Sequence, residues 1–126
     1  MSVARLSLGL AAVLLFATAA LHASGATMVS GWLPGQRGAI LDVLWVVPVI
    51  DWAIIGVLWL FVAWRDERAL APLVWISAVV PLLVAVLLIK AVGPGHPGIW
   101  MLVAAAVLAT FGASRLERSA TSNVTS

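Results

Sequence analysis

The stretch ALAPLVWISAVVPLLVAVLLI, residues 69–89, contains no charged residue from its first position to its last. A helix needs about 20 mostly apolar residues to cross the hydrocarbon core of a bilayer, and this run is long enough. The stretch therefore predicts a membrane-spanning helix, and the rest of the chain can be compared with it.

The whole composition agrees with a membrane environment. Hydrophobic residues make up 63% of the chain and charged residues only 10%, and the mean hydropathy is +1.15. A soluble domain usually carries about 25% charged residues. A globule this small could not bury so much apolar surface, because small domains leave much of their surface exposed. Lipid is therefore the expected solvent and the expected partner.

Three further apolar runs resemble the first in length. The predicted spans lie at about 6–23, 40–64, 69–91 and 98–114, and the segments between them carry helix breakers or charges. These connections are the Gly- and Ser-rich residues 24–38, RDER at 65–68 and GPGHPG at 93–98. The pattern predicts an all-α integral membrane four-helix bundle over residues 1–115. We expect residues 116–126 to form a polar, disordered tail.

The basic residues predict the orientation of this bundle. Four spans place both termini on one side, together with five of the seven Lys and Arg residues. Basic residues near helix ends favour the cytoplasm, so we expect both termini in the cytoplasm and the protein in an inner membrane. One alternative stays open, in which residues 1–26 are a cleaved signal peptide and three spans remain.

Several classes of function lack the residues they need. The chain has no Cys, which excludes thiolate nucleophiles and Cys-based metal sites. Its basic residues form no stripe for a phosphate backbone to follow, so we predict no nucleic-acid partner. No nucleophile–base pair, glycine-rich phosphate loop or HExxH motif is present. We therefore expect no catalytic residues, no metal and no cofactor.

One carboxylate interrupts the second span, in VVPVIDWAII at residues 46–55. Asp51 falls near the membrane midplane, where an ionisable group costs roughly 2.5–3.5 kcal/mol on insertion scales. Such a group normally faces the bundle interior, and Pro48 removes a backbone hydrogen bond close by. We therefore expect Asp51 at the floor of a polar pocket, or as a structural carboxyl bonded to a neighbouring helix.

Other polar residues are predicted to gather near the outer ends of the helices. Asp42 opens the second span, Lys90 closes the third, His22 ends the first and His96 lies in GPGHPG. With Asp51 they form a candidate polar pocket. Asp42 and Lys90 could equally be an interfacial ion pair, with the Lys90 amine reaching the headgroups. Two histidines without a close-spaced ligand pair do not predict a metal site.

Tryptophan is unusually abundant, with seven Trp and no Tyr. Most of these residues fit the aromatic belts at the two membrane interfaces. Trp45, Trp52 and Trp59 recur every seven residues and so form an aromatic stripe on one side of the second span. The stripe is either a packing or lipid-facing surface or a platform for a ligand such as a quinone.

These observations favour a small non-catalytic membrane protein that acts as a binding, accessory or assembly partner. It could belong to a larger membrane complex or form a homo-oligomer. The alternative is a proton-coupled small-molecule transporter or ion pathway with Asp51 as the titrating group. The two functions differ in whether water can reach Asp51.

Overall fold

The computed structural model describes residues 1–29 and 31–121, and every regular element in this part of the chain is helical. The long helices are α1 (Val3–Ser24), α3 (Gly35–Arg65), α4 (Ala71–Val92) and α5 (Pro97–Thr121). A single turn, α2 (Ala26–Val29), lies between α1 and α3, and a 3-10 turn at Arg68–Leu70 precedes α4. All four long helices are apolar and long enough to cross a bilayer. The predicted all-α membrane four-helix bundle is confirmed.

The helix bounds differ from the predicted spans mainly in α3 and α5. The helix α3 begins at Gly35, directly after Pro34, and runs unbroken through Pro48 for 31 residues. Pro97 occupies the first position of α5, where its missing N–H costs nothing. Residues 116–121 of the expected tail continue α5, and residues 122–126 lie outside the described part of the chain. Polar ends can extend a helix beyond its apolar span, so hydropathy alone makes the predicted α3 and α5 too short.

The helices pack around α1 and α5. The helix α1 contacts both α3 and α5 extensively, and α4 packs mainly on α5. The neighbouring helices α3 and α4 contact each other least. The bundle therefore has one close side, between α1 and α5, and one loose side, between α3 and α4.

Small side chains make the close side possible. On α5, Ala105, Ala109 and Ala113 repeat every fourth residue and are fully buried. Gly112 lies so near α1 that an added Cβ would come within 2.8 Å of Leu8 Cγ. Ser7 of α1 also donates a hydrogen bond of 2.7 Å to the Leu108 carbonyl of α5. Helices in lipid associate through this kind of close packing, because lipid offers no hydrophobic driving force.

On the loose side, tryptophan fills the space between α3 and α4. The Trp59 side chain is completely buried, and its Nε1 donates a hydrogen bond of 2.8 Å to Ser77 Oγ on α4. Ser77 in turn donates to the Leu73 carbonyl one turn earlier, at 2.7 Å. This bond joins two helices that share few other contacts.

A polar cluster closes the end of the bundle that holds the start of α1 and the turn at residues 66–70, which we call the arginine end. Asp66 ends α3 in the left-handed conformation, with a φ of 55°. Its carboxylate pairs with Arg5 Nε at 3.1 Å, and so links the start of α1 to the turn between α3 and α4. On the other side of this end, Trp75 Nε1 donates to Glu117 Oε1 at 3.3 Å.

Candidate ligand-binding site

The opposite end of the bundle, formed by residues 25–29, 31–34 and 93–96 with the adjoining helix turns, holds a cavity of about 500 Å³. We call it the histidine end, because His22 and His96 both line the cavity. Further lining comes from Trp45 and Trp52 of α3 and from Leu88 of α4. The cavity therefore lies where the loose side of the bundle opens, beyond the Trp59–Ser77 bond.

His22 and two tryptophans form an aromatic cluster at the cavity wall. The His22 imidazole stacks on the Trp45 indole, with ring centroids 4.4 Å apart and planes 10° from parallel. The His22 and Trp52 rings meet edge-on, with centroids 5.3 Å apart and an angle of 75° between their planes. Such stacked and edge-on pairs are the favoured aromatic arrangements. They hold flat ring surfaces in fixed positions.

Backbone contacts fix the stack in place. Trp45 Nε1 donates a hydrogen bond of 2.9 Å to the His22 carbonyl, which also accepts the Gly25 N–H at 3.0 Å where α1 ends. A side chain at position 25 would disturb this contact, because a Cβ on Gly25 would lie 2.9 Å from Trp45 Cζ2. The position of Trp45 thus depends on both the helix end and the glycine that follows it.

His22 carries an unmet hydrogen-bonding group. Its Nε2 is shielded from solvent and has no hydrogen-bond partner in the described part of the chain. Leaving a buried polar group unpaired costs about 1–3 kcal/mol. Unpaired groups of this kind are rare in folded proteins and call for an explanation.

His96 is fixed differently, by the start of α5. The Gly98 N–H donates to His96 Nδ1 at 3.2 Å. Because Nδ1 accepts, the neutral imidazole carries its proton on Nε2, which is then the ring's donor. Gly98 allows this contact, since an added Cβ would stand 3.1 Å from the imidazole.

Among the residues that the structure describes at the cavity, Thr18 and Ser24 carry hydroxyl groups, and both already donate their protons. Thr18 Oγ1 donates to the Leu14 carbonyl at 2.8 Å, and Ser24 Oγ donates to the Leu21 carbonyl at 2.7 Å. Trp52 is different: only 2% of it is exposed, and its indole N–H donates to no group among residues 1–29 and 31–121. Among the described side chains of this wall, the donors without a partner are therefore ring N–H groups.

Asp51 is not part of this site. It does not line the cavity, and it lies on the exposed outer surface of α3. The expectation that it faces the bundle interior is wrong. Trp52, the next residue, takes the inward position, and consecutive helical residues point about 100° apart. Within the described residues, no hydrogen bond or ion pair involves the Asp51 carboxylate.

The other two charged candidates also lie outside the cavity. Asp42 and Lys90 are exposed, on α3 and α4 respectively, and neither lines it. They form no ion pair with each other in the described structure. Of the five residues grouped as a candidate polar pocket, the fold brings together only His22 and His96.

The aromatic stripe lies along the inner side of α3. Trp59 is fully buried, Trp52 is 2% exposed and Trp45 is half-buried. Trp59 packs inside the bundle, whereas Trp52 and Trp45 line the cavity. Gly25, Thr18 and Leu88 are functional candidates that the sequence did not single out, because nothing local marks them as neighbours of His96.

In the described residues, no group of three or more His, Asp or Glu side chains could hold a metal ion. Comparisons with protein family models, with curated proteins and with solved structures found no match to this chain. The site must therefore be interpreted from its own geometry.

Proposed function

We propose that this protein is a non-catalytic, multi-pass protein of an inner membrane that binds a small lipid-soluble ligand at its histidine end. The observation that carries the proposal is the cavity of about 500 Å³ at this end of the bundle, which residues from all four long helices line. Ligand sites in proteins commonly measure about 300–1,000 Å³, with apolar walls and a few polar groups. The cavity has these properties, and it lies at the end of a membrane-spanning bundle.

The side chains at the cavity support binding without catalysis. Both hydroxyl groups donate to carbonyls of their own helix, so neither is held by a general base. No carboxylate lines the cavity. The two imidazoles lack the third group that orients a base in a catalytic triad.

The orientation is part of the proposal. The arginine end carries Arg5, Arg65 and Arg68, and α5 returns Arg115 to the same end. By the positive-inside rule this end faces the cytoplasm. The cavity then opens near the outer surface of the inner membrane.

A variant whose side chain fills the cavity tests ligand binding. The Leu88→Trp variant places a large indole on the cavity wall, and Leu87→Trp places the same indole at an adjacent position that does not line it. Each protein would be purified in nanodiscs of native lipid and analysed by mass spectrometry for bound small molecules. We expect the wild type and L87W to retain the same compound, and L88W to lose at least 90% of it. Equal retention in L88W, or no retained compound in any of them, contradicts the proposal.

A second candidate function is assembly with another membrane protein, and the exposed carboxylate of Asp51 favours it. A polar group facing lipid has no partner there, whereas a neighbouring helix could supply a hydrogen-bond donor. Native gel electrophoresis of gently solubilised membranes tests this function. A complex that Asp51→Leu dissociates, and Ile54→Leu does not, is the expected result.

The transporter alternative has less support than either function. A proton-coupled pathway needs its titrating group beside the substrate, and Asp51 is outside the cavity. An Asp51→Leu protein that still transported a substrate would exclude Asp51 as the coupling group.

A further inference from the structure

We infer that the ligand is an uncharged, flat, conjugated ring compound with carbonyl oxygens and a lipid-soluble tail, the chemistry of a quinone. The inference rests on the proposed ligand-binding function and specifies the class of compound that fits the cavity. Three properties of the wall carry it: its aromatic surfaces, its unused donors and its lack of charge.

The aromatic surfaces select for a flat ligand. The described aromatic side chains that line the cavity are His22, Trp45 and Trp52, with Trp32 and His96 of the connecting segments. The stacked His22–Trp45 pair and the edge-on Trp52 hold these rings without a bound molecule. A flat conjugated ring gains both area burial and favourable ring–ring geometry against such walls.

The unused donors select for acceptor oxygens on that ring. The Trp52 indole N–H has no partner within the described residues, and the His96 tautomer leaves Nε2 as a donor. The hydroxyl protons of Thr18 and Ser24 are already used. A site whose free groups are N–H donors fits a ligand that brings acceptors, and a carbonyl oxygen is the simplest one. A hydrocarbon would leave those donors unpaired.

The absence of charge selects for a neutral ligand. Among the described residues of the cavity wall there is no Asp, Glu, Lys or Arg. A charged ligand would lose its hydration there without gaining a counter-charge. Tryptophan faces can attract a cation, but the N–H donors at the same wall oppose it.

The loose side of the bundle gives such a ligand a route from the bilayer. Leu88 and Val92 of α4 line the cavity opposite Trp45 and Trp52 of α3, and these two helices share few contacts. A lipid-soluble molecule can enter between them without crossing water. Its tail can remain in lipid while the ring occupies the cavity.

Three probes with the same tail test the class of ligand. They are 2-decyl-1,4-naphthoquinone, 2-decylnaphthalene and decyltrimethylammonium, each titrated into full-length protein in nanodiscs while the melting temperature is recorded. We expect the quinone to stabilise the wild type and to bind about tenfold more tightly than the hydrocarbon. That ratio corresponds to about 1.4 kcal/mol, which one or two hydrogen bonds to the carbonyls can provide.

Conservative variants assign this selectivity to the donors. Trp52→Phe and His96→Phe each keep a ring and remove an N–H, so each should reduce the quinone-to-hydrocarbon ratio about threefold or more. Trp64→Phe at the arginine end is the matched control and should leave the ratio unchanged. If His96→Phe also perturbs the start of α5, Trp52→Phe still tests the donor on its own.

The outcomes separate this inference from the proposed function. Equal binding of quinone and hydrocarbon, or unchanged selectivity in both donor variants, overturns the ring-carbonyl class while ligand binding stands. Tighter binding of the ammonium probe overturns it in favour of a cation. If no probe binds and the wild type retains no native compound, the proposed function fails as well.

Discussion

Asp51 lies alone on the exposed side of α3, at about the middle of its 31 residues. In a bilayer that position faces hydrocarbon unless another chain covers it. A carboxyl at the centre of a spanning helix costs roughly 2.5–3.5 kcal/mol on insertion scales. The residue therefore opposes the stability of the isolated chain.

We expect Asp51→Leu to stabilise the isolated protein, by about 1–3 kcal/mol in a bilayer, because it removes this cost. Unfolding in nanodiscs, followed by far-UV circular dichroism, measures the change. Ile54→Leu, also on the exposed surface, is the control and should change little. A loss of stability in D51L would mean that the carboxyl makes a favourable contact in the folded chain.

At the scale of single residues, the sequence identified the right residue types but not their directions. The seven-residue spacing predicts that Trp45, Trp52 and Trp59 share one side of α3. It could not show that this side faces inward, because apolar residues surround the helix. The general rule that an intramembrane acid faces the interior then assigned Asp51 wrongly. The inward positions next to it are filled by Trp52 and Ile55.

Between elements, the bond from Trp59 to Ser77 is the main polar link across the loose side. We expect Ser77→Ala to cost about 1–3 kcal/mol, because it leaves the indole N–H of a fully buried tryptophan unpaired. Thermal unfolding in detergent or nanodiscs measures the loss.

Ser114→Ala is the control for this change, since the Ser114 hydroxyl donates only to the Phe111 carbonyl of its own helix. It should change stability by less than about 0.5 kcal/mol. In the Trp59→Phe background, Ser77→Ala should cost much less than it does alone. Additive effects would show that the hydrogen bond does not stabilise the protein.

The close side gives a prediction from two glycines. A methyl group at Gly112 would lie 2.8 Å from Leu8 Cγ and 3.3 Å from the Ala4 carbonyl oxygen, whereas one at Gly9 would meet nothing within 4 Å. We expect Gly112→Ala to destabilise the protein by about 1–2 kcal/mol through overpacking. Gly9→Ala should stabilise it by up to about 1 kcal/mol through helix propensity.

Both glycine variants can be measured by the same unfolding experiment. If Gly112→Ala raises the melting temperature as Gly9→Ala does, α1 and α5 are not packed as closely as the structure has them.

The spans were predictable because the length of an apolar run is a local property. The inward faces were harder, because on α4 small residues take inward positions while several large ones face outward. On α4, Ala78 and Ala85 are buried, while Leu83 and Leu87 are exposed. In a soluble protein large apolar residues mark the core, so that guide fails here. The cavity forms where five separate segments of the chain meet. No continuous pattern in the sequence therefore predicts it.

At the scale of the whole molecule, we expect both termini on the cytoplasmic side. Alkaline phosphatase fused after Ser126 should be inactive, and the same enzyme inserted after Pro94 should be active, because it folds only outside the cytoplasm. A green fluorescent protein fusion at each position should show the reverse pattern. An active phosphatase at the C-terminus would overturn the orientation.

The signal-peptide alternative can be tested by the mass of the purified protein. The helix α1 supplies Leu8, Ala11 and Leu15, all fully buried, to the core between α3 and α5. We therefore expect intact-mass measurement of the purified protein to find residues 1–26 still attached. A mass that lacks them would mean that the bundle forms from three helices only.

The packing order also sets an order of events during synthesis. The helices α1 and α3 can pair as soon as both have left the ribosome, but α5, which covers the other side of α1, is made last. Until then the small-residue surface of α1 faces lipid or the insertion machinery. A chain that stops at Val92 would thus hold six of the seven tryptophans, yet lack the helix on which both α1 and α4 pack. Completion of α5 is the step that joins the α1–α3 pair and α4 into a single bundle.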